Sequence, residues 1–351
     1  MTGSHATDAV AYFDAVQAAA QAAPAPTIVH HYCIGGFPVD ICGSNPALLA
    51  ELTRALAHLA TAPADRVPWL TIQVWDGAPR PPAPWTWRGQ PAPDEHFDPE
   101  RVLSGLNSDR IYTGLDLYPS RLHLLDRARN RGALWIESAD DLPYYEAGAP
   151  FRRLLGSWMA MQGRHFMHAG AVGIATGAVL LAGPSGVGKS TAALACLDSA
   201  LSYLGDDYVL VATAPAPWVY SLYNTAKLKG AEDLRRIPDL APQVHNAARL
   251  DREKAMIFVH KHWPDKLAGD VPLRALLVPR VTGVARARLA PIPAAHALAA
   301  CAPSTLTQLR LRSQATLQHM AELVRRLPCY RLEMGPDLAG IPAAILDLLS
   351  D

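Results

Sequence analysis

The sequence carries no surplus of either charge, little cysteine and no long apolar run. Basic and acidic residues number 32 each in 351 and neither sign forms a long block. A broad footprint for a phosphate backbone is therefore not expected, and nucleic acid is not the expected partner. Five cysteines, Cys33, Cys42, Cys196, Cys301 and Cys329, are too few, too scattered and odd in number for a disulfide framework. They point to a reducing, cytoplasmic setting. Cys33 and Cys42 flank an expected hairpin turn and are placed to face each other across strands, with free buried thiols the preferred reading. The longest apolar runs fall short of the roughly 20 residues that span a bilayer, so no membrane association is expected. The opening MTGSHATDAV shows no basic stretch leading into an apolar one, so no export signal is expected, and it contributes nothing to the expected fold.

What is present is a globular composition, half apolar and 18% charged, in a chain long enough for two domains or one domain with a large addition. TIVHHYCIGGFPVDIC (27–42) reads as two strands around Gly35-Gly36, and PALLAELTRALAHLA (46–60) puts Leu48, Leu49, Leu52, Leu56 and Leu59 on one helical face. A strand at 69–75 follows, then a proline-rich stretch, 77–99, expected as a long surface loop or arm. Further strand signals at RIYTGLDLYP and ALWIES give residues 27–140 an α+β character. Residues 144–173 read as a helix entering a strand. AVLLAG (178–183), a glycine turn, a helix from about 189 to 199 and the strand LSYLGDDYVLV make a βαβ start. LRALLVPRV (273–281) is one more strand, and 294–349 hold two amphipathic helices separated by RLPCYRLEMGPD.

The glycine turn is a complete G-x-x-x-x-G-K-[ST] motif, Gly183, Pro184, Ser185, Gly186, Val187, Gly188, Lys189, Ser190, followed by Thr191 and set between strand and helix. Its glycines let backbone N–H groups turn inward around phosphates, and the helix N-terminus adds partial positive charge. Lys189 reaches the β and γ oxygens, and Ser190 is placed to give its hydroxyl oxygen to Mg²⁺. These nine residues are the expected ATP-binding set. Asp206 and Asp207 follow at a strand end, on the edge where the phosphates lie. One carboxylate is suited to hold Mg²⁺ and the other to accept a proton from an incoming hydroxyl; repulsion between them raises one pKa, which suits a base.

Over HAGAVGIATGAVLLAGPSGVGKSTAALACL…LSYLGDDYVLV the chain resembles the HPr kinase/phosphorylase group of bacterial protein serine kinases. In particular it resembles the related kinases found beside peptide natural-product genes, including those that modify lasso-peptide precursors. The resemblance rests on a histidine ahead of the loop lysine and an Asp-Asp pair after it. It implies an α/β fold, a P-loop nucleotide-binding domain with a parallel-rich sheet (144–351), preceded by a smaller α+β module (1–143) suited to substrate recognition. It further implies that Lys189 binds phosphate, Ser190 binds Mg²⁺, Asp207 is the proton acceptor and His168 supports the site, which leaves Asp206 as the carboxylate of the pair expected to support the metal. The Arg- and Gly-rich signature with a second metal-binding Glu found in true HPr kinases is missing. WVYSLYNTAKLKG (218–230) stands in its place, and Tyr223, Asn224 and Lys227 are candidates to line the crevice, Lys227 as a phosphate clamp. The loss argues against the phosphocarrier protein as substrate and against reverse phosphorylase activity.

The expected partner is a peptide or protein with a hydroxyl acceptor, and self-association is compatible with the sequence. A small-molecule kinase of the same fold and a nucleotide-binding regulatory ATPase are the alternatives. A transport ATPase is disfavoured, because there is no L-S-G-G-Q and LRALLVPRV ends without an acidic residue. HKHWPDK (260–266), with His260, His262 and Asp265, and DEHFD (94–98) lack metal-site spacing and read as solvated loops. Lys254 and Lys261 are candidates to approach a nucleotide by position alone, and Trp158 and Phe166 read as core.

Overall fold

The computed structural model describes residues 2–22, 27–63, 66–84, 103, 105–117, 119–229, 231–308 and 314–350. Residues 85–99 of the proline-rich stretch, with Asp94, Glu95, His96 and Asp98, lie outside them. The chain divides into two compact units, residues 1–54 with 60–162, and residues 55–59 with 163–351. This division differs from the one expected at 143/144, because the segment after 143 packs with the first unit.

The first unit opens with helix α1 (Thr2–Gln21), which the sequence reading left out. It continues with β1 (Ile28–Ile34), β2 (Phe37–Gly43), α2 (Pro46–Thr53), β3 (Leu70–Asp76), β4 (Ile111–Leu117), β5 (Ser120–Asp126), β6 (Arg131–Ile136), α3 (Tyr144–Ala147) and α4 (Arg152–Met161). The six strands form one sheet in the order β1-β2-β3-β6-β5-β4. Tyr12, Phe13 and Val16 of α1 are buried with Trp75, Leu122, Leu124 and Trp135 of the strands. Helix α2 begins where Asn45 Oδ1 accepts from the N–H groups of Ala47 and Leu48, satisfying two donors that helix geometry leaves open. The helix tightens to a 3₁₀ turn at Arg54–Leu59. The described start of the proline-rich stretch is pinned by Trp75 Nε1 donating to the Pro79 carbonyl (2.9 Å) and Trp135 Nε1 donating to that of Gly77 (3.0 Å). Cys33 pairs across the hairpin with Pro38 and Cys42 with Val29, so the two thiols do not face each other. All five cysteines are free.

The second unit comprises β7 (His165–Met167), β8 (Ala169–Ile174), β9 (Gly177–Ala182), α5 (Lys189–Ala195), β10 (Ser202–Gly205), β11 (Val209–Ala212), β12 (Trp218–Tyr220), β13 (Thr225–Leu228), α6 (Ala231–Arg236), β14 (Ala255–Phe258), α7 (Val259–His262), β15 (Asp270–Val281), β16 (Arg288–Pro291), α8 (Ala294–Gln308), α9 (Gln314–Arg326), β17 (Cys329–Met334) and α10 (Gly340–Ser350). The main sheet runs β10-β8-β9-β15-β12-β11-β7, with β17 joined to β15 and β16 joined to β17. It is a mixed α/β sheet, parallel at β9–β15–β17 and antiparallel in the flanks, where short connections impose hairpins. Strand alternation sends Val179 and Leu181 of β9 to a core shared with Ala192 and Ala193 of α5 and Ile341 and Ile345 of α10. Ala178, Leu180 and Ala182 face the opposite core with Ala297 of α8 and Met320 and Leu323 of α9. Helices therefore cover both faces. No helix among the described residues is long and apolar enough to cross a membrane.

Candidate active site

The glycine turn joins β9 to α5. Gly188 caps the helix at φ 101°, in the left-handed region that favours glycine, and a Cβ there would press on the flexible end of Met334 at 2.7 Å. Gly186 takes φ 89°. Lys189 is nearly buried, and its Nζ donates to the carbonyls of Gly183 (2.8 Å) and Pro184 (3.1 Å). Burial, followed by the nearby Lys254 and Lys229 charges, lowers its pKa, while Asp206 and Asp207 hold it up. Ser185, Gly186, Gly188, Lys189, Ser190 and Thr191 line one cleft. Gly183, Pro184 and Val187 shape the loop behind it.

The Asp pair sits where two neighbouring strands break together. The chain from β7 to β8 and the chain from β10 to β11 run antiparallel, with Met167 opposite Val209 and Ala171 opposite Gly205. That register puts Gly170 opposite Asp206. A Cβ on Gly170 would lie 3.3 Å from the Gly205 carbonyl oxygen and 3.4 Å from Asp206 Cα. His168 occupies the break on one side and Asp206-Asp207 the break on the other, so all three side chains leave the ladder at one place. LSYLGDDYVLV is thus two strands and not one. β10 is separated from β9 by β8, antiparallel to both, so β9 and β10 point the same way and end at the same edge.

Asp207 Oδ1 lies 3.1 Å from His168 Nε2, and Lys227 Nζ donates to Oδ2 at 2.8 Å. Burial favours its neutral form, but the Lys227 charge, followed by the His168 hydrogen bond, outweighs burial and holds the carboxyl well below the usual range. Asp206 is the deeper of the two, 2% exposed. Its Oδ2 accepts the Lys227 N–H at 3.0 Å, and its Oδ1 is buried without a hydrogen-bond donor. Burial first, with the Asp207 charge adding to it, pushes its carboxyl up to about 6 against the Lys227 N–H, Ser190 and Lys189. The expected rise within the pair therefore falls on Asp206 and does not prepare Asp207.

Other expected site residues part ways. Lys227 enters the cleft, and so does Lys254. Asn224 does not: its backbone N–H and its Nδ2 both donate to the Ala55 carbonyl at 2.9 Å. Tyr223 is buried with its ring edge-on to Tyr208. Lys261 lies on α7, away from the cleft, while Trp158 and Phe166 are fully buried. No group of three or more His, Cys, Asp or Glu side chains placed to hold a metal occurs among the described residues. Three charged residues of the cleft were not anticipated, Lys229, Asp233 and Arg236. The alternation Lys227-Leu228-Lys229 is the sequence signal for the first, since a strand turns residues two apart to the same side. In all, five cationic side chains line the cleft against three acidic ones, a balance that suits a polyanion.

A second cavity of about 340 Å³ shares Gly188, Thr191, Arg236 and Val281 with this cleft and is otherwise lined by Gly283, Met334, Gly335, Pro336 and Leu338. An apolar chamber thus opens beside a cationic one at the N-terminus of α5.

No family model and no curated protein matches the chain. Among solved structures it is similar to the Hpr(Ser) kinase/phosphatase from Coxiella burnetii, at 11% identity and a TM-score of 0.29, over 53% of this chain and 94% of that one.

Proposed function

We propose that this chain is an ATP- and Mg²⁺-dependent kinase that transfers the γ-phosphoryl group to a Ser or Thr hydroxyl of a peptide or protein, a ribosomal natural-product (lasso) precursor being the substrate class implied by the sequence resemblance. The observation that carries it is Asp207, ionised and held between His168 and Lys227 at the rim of a phosphate-shaped cleft. The apolar chamber beside Thr191 suits a nucleobase with its ribose, and the cationic cleft suits the phosphates.

In this reading the acceptor oxygen attacks the γ-phosphorus. The bond from that phosphorus to the β,γ-bridging oxygen breaks, its electron pair leaves with ADP, and the hydroxyl proton passes to Asp207 and then to water. The low pKa of Asp207 keeps it ready to orient the hydroxyl, and proton acceptance comes late, as the loose transition state of phosphoryl transfer allows. Lys227 and His168 fix the carboxylate, which is 23% exposed, while Asp206 is sealed below it. Asp206 Oδ1 and the Ser190 hydroxyl fit Mg²⁺, because this buried carboxylate oxygen is left without a hydrogen-bond donor in a cleft that Ser190 also lines. The ion bound there would neutralise charge on the phosphates.

Incubation with γ-labelled ATP and candidate precursor peptides, followed by mass spectrometry, tests the reading. Label on a Ser or Thr, lost in Lys189→Ala and reduced about 10²–10⁴-fold in Asp207→Asn with nucleotide binding kept, is the expected result. Label on a carboxylate or histidine, hydrolysis alone, or an Asp207→Asn protein as fast as the parent overturns it.

A further inference from the structure

Strands β13 and β14 pair antiparallel, with Lys227 opposite Met256 and Leu228 opposite Ala255. One step further, the register sets Lys229 opposite Lys254. Like charges directly across a ladder repel. Neither ammonium has an ion pair among the described residues, and Asp233 Oδ2 accepts from the backbone N–H of Lys229 (2.9 Å) rather than from its ammonium. Both lysines line the phosphate cleft and neither lines the apolar chamber. They share that cleft with Asp207. Lys229 also leans over the glycine turn, where a Cβ on Gly186 would lie 2.8 Å from its Nζ. Two unpaired cations facing each other beside an anion cradle are relieved by an anion between them.

We infer that Lys229 and Lys254 form a two-lysine clamp on the terminal phosphate of the nucleotide, so that the site distinguishes a triphosphate from a diphosphate. This rests on the kinase reading of the cleft. The division of labour follows from the partners: Lys227 is committed to Asp207, Lys189 donates to the carbonyls of Gly183 and Pro184, and the facing pair is left to join Lys189 on the group that is transferred. Loss of that group from the nucleotide removes the anion that holds the pair together, which favours release of the diphosphate.

Calorimetric titration of the full chain with the β,γ-imido analogue of ATP and with ADP, each with Mg²⁺, tests it. In Lys229→Met and Lys254→Met the analogue should bind on the order of 10-fold more weakly or worse, while ADP stays within about twofold of the parent. Lys229→Arg should keep most of the preference, and Lys261→Met, which removes a lysine outside the cleft, should bind both ligands as the parent does. The ligand-free Tm of each clamp variant should match or exceed the parent's, because a repulsion has been removed. Equal weakening of both ligands, or no weakening of either, overturns the clamp while leaving a nucleotide site in place. A parent that binds neither ligand overturns the kinase reading and the clamp with it.

Discussion

At the residue scale, the site depends on Lys227 answering Asp207. Its side chain is 7% exposed, and it supplies both an ammonium to Asp207 and a backbone N–H to Asp206. Lys227→Met keeps the backbone bond and removes the charge. The Asp207 carboxyl should then rise toward or above its ordinary value, the fold should lose ~3 kcal/mol in denaturant titration, and transfer should fall with nucleotide affinity less affected. A variant as stable and as fast as the parent would show the pair to be incidental. The glycine turn and the Asp pair were legible in the sequence because each is a contiguous run whose spacing states its chemistry. The facing of Lys229 and Lys254 was not, because it depends on which residue of β13 meets which residue of β14, and a sequence does not print register.

At the scale of elements, the paired breaks in β7–β8 and β10–β11 aim His168, Asp206 and Asp207. Gly170 keeps them close. Gly170→Ala would press a methyl group on the backbone of Gly205 and Asp206, which has no rotamer with which to yield. A loss of roughly 1–3 kcal/mol, with a larger fall in Mg²⁺-dependent nucleotide binding than in stability, is expected in paired melting and binding measurements. Helix α9 lies against β7 through His319, stacked on His165 with ring centroids 3.8 Å apart. Burial, followed by the neighbouring imidazole, pushes His319 down to about 4. In the unfolded chain it titrates near 6.5, so between those values the unfolded state binds more protons and stability falls as the pH falls. His319→Gln should reduce the stability lost between pH 7 and 4 by on the order of 2 kcal/mol, read from urea midpoints; an unchanged slope would place the acid sensitivity elsewhere. The hairpin at Gly35-Gly36 and strand β9 lie where periodicity put them, and helix α2 starts as expected but gives way to a 3₁₀ turn at Arg54–Leu59 in place of one helix to 60. Strand β5 was passed over, and 294–349 holds three helices and strand β17 in place of two helices. Strand β5 is buried along nearly its whole length and β17 is six residues long, so neither shows a single apolar period to read.

On the scale of the whole molecule, the second unit is not one stretch of chain. It takes in Ala55–Leu59 from within the sequence of the first. His58 Nε2 meets Ser221 Oγ at 2.7 Å, and Asn224, fully buried, binds the Ala55 carbonyl. Asn224→Ala should cost about 1–3 kcal/mol in denaturant unfolding, although the residue lies outside the cleft; a neutral substitution would mean the strap is not held by this bond. Length pointed to two domains, or one with a large addition, and the expected boundary at 143/144 missed the interleaving, because the helical pattern of 46–60 continues unbroken through residues that fall in different units.

That strap has a consequence for how the protein is made. Ala55–Leu59 leaves the ribosome before any residue from Gly163 onward exists, so the phosphate-binding unit begins synthesis with a piece of itself already waiting on the growing chain. A gene cut at the 162/163 boundary would yield a second-unit fragment lacking that piece of its own core.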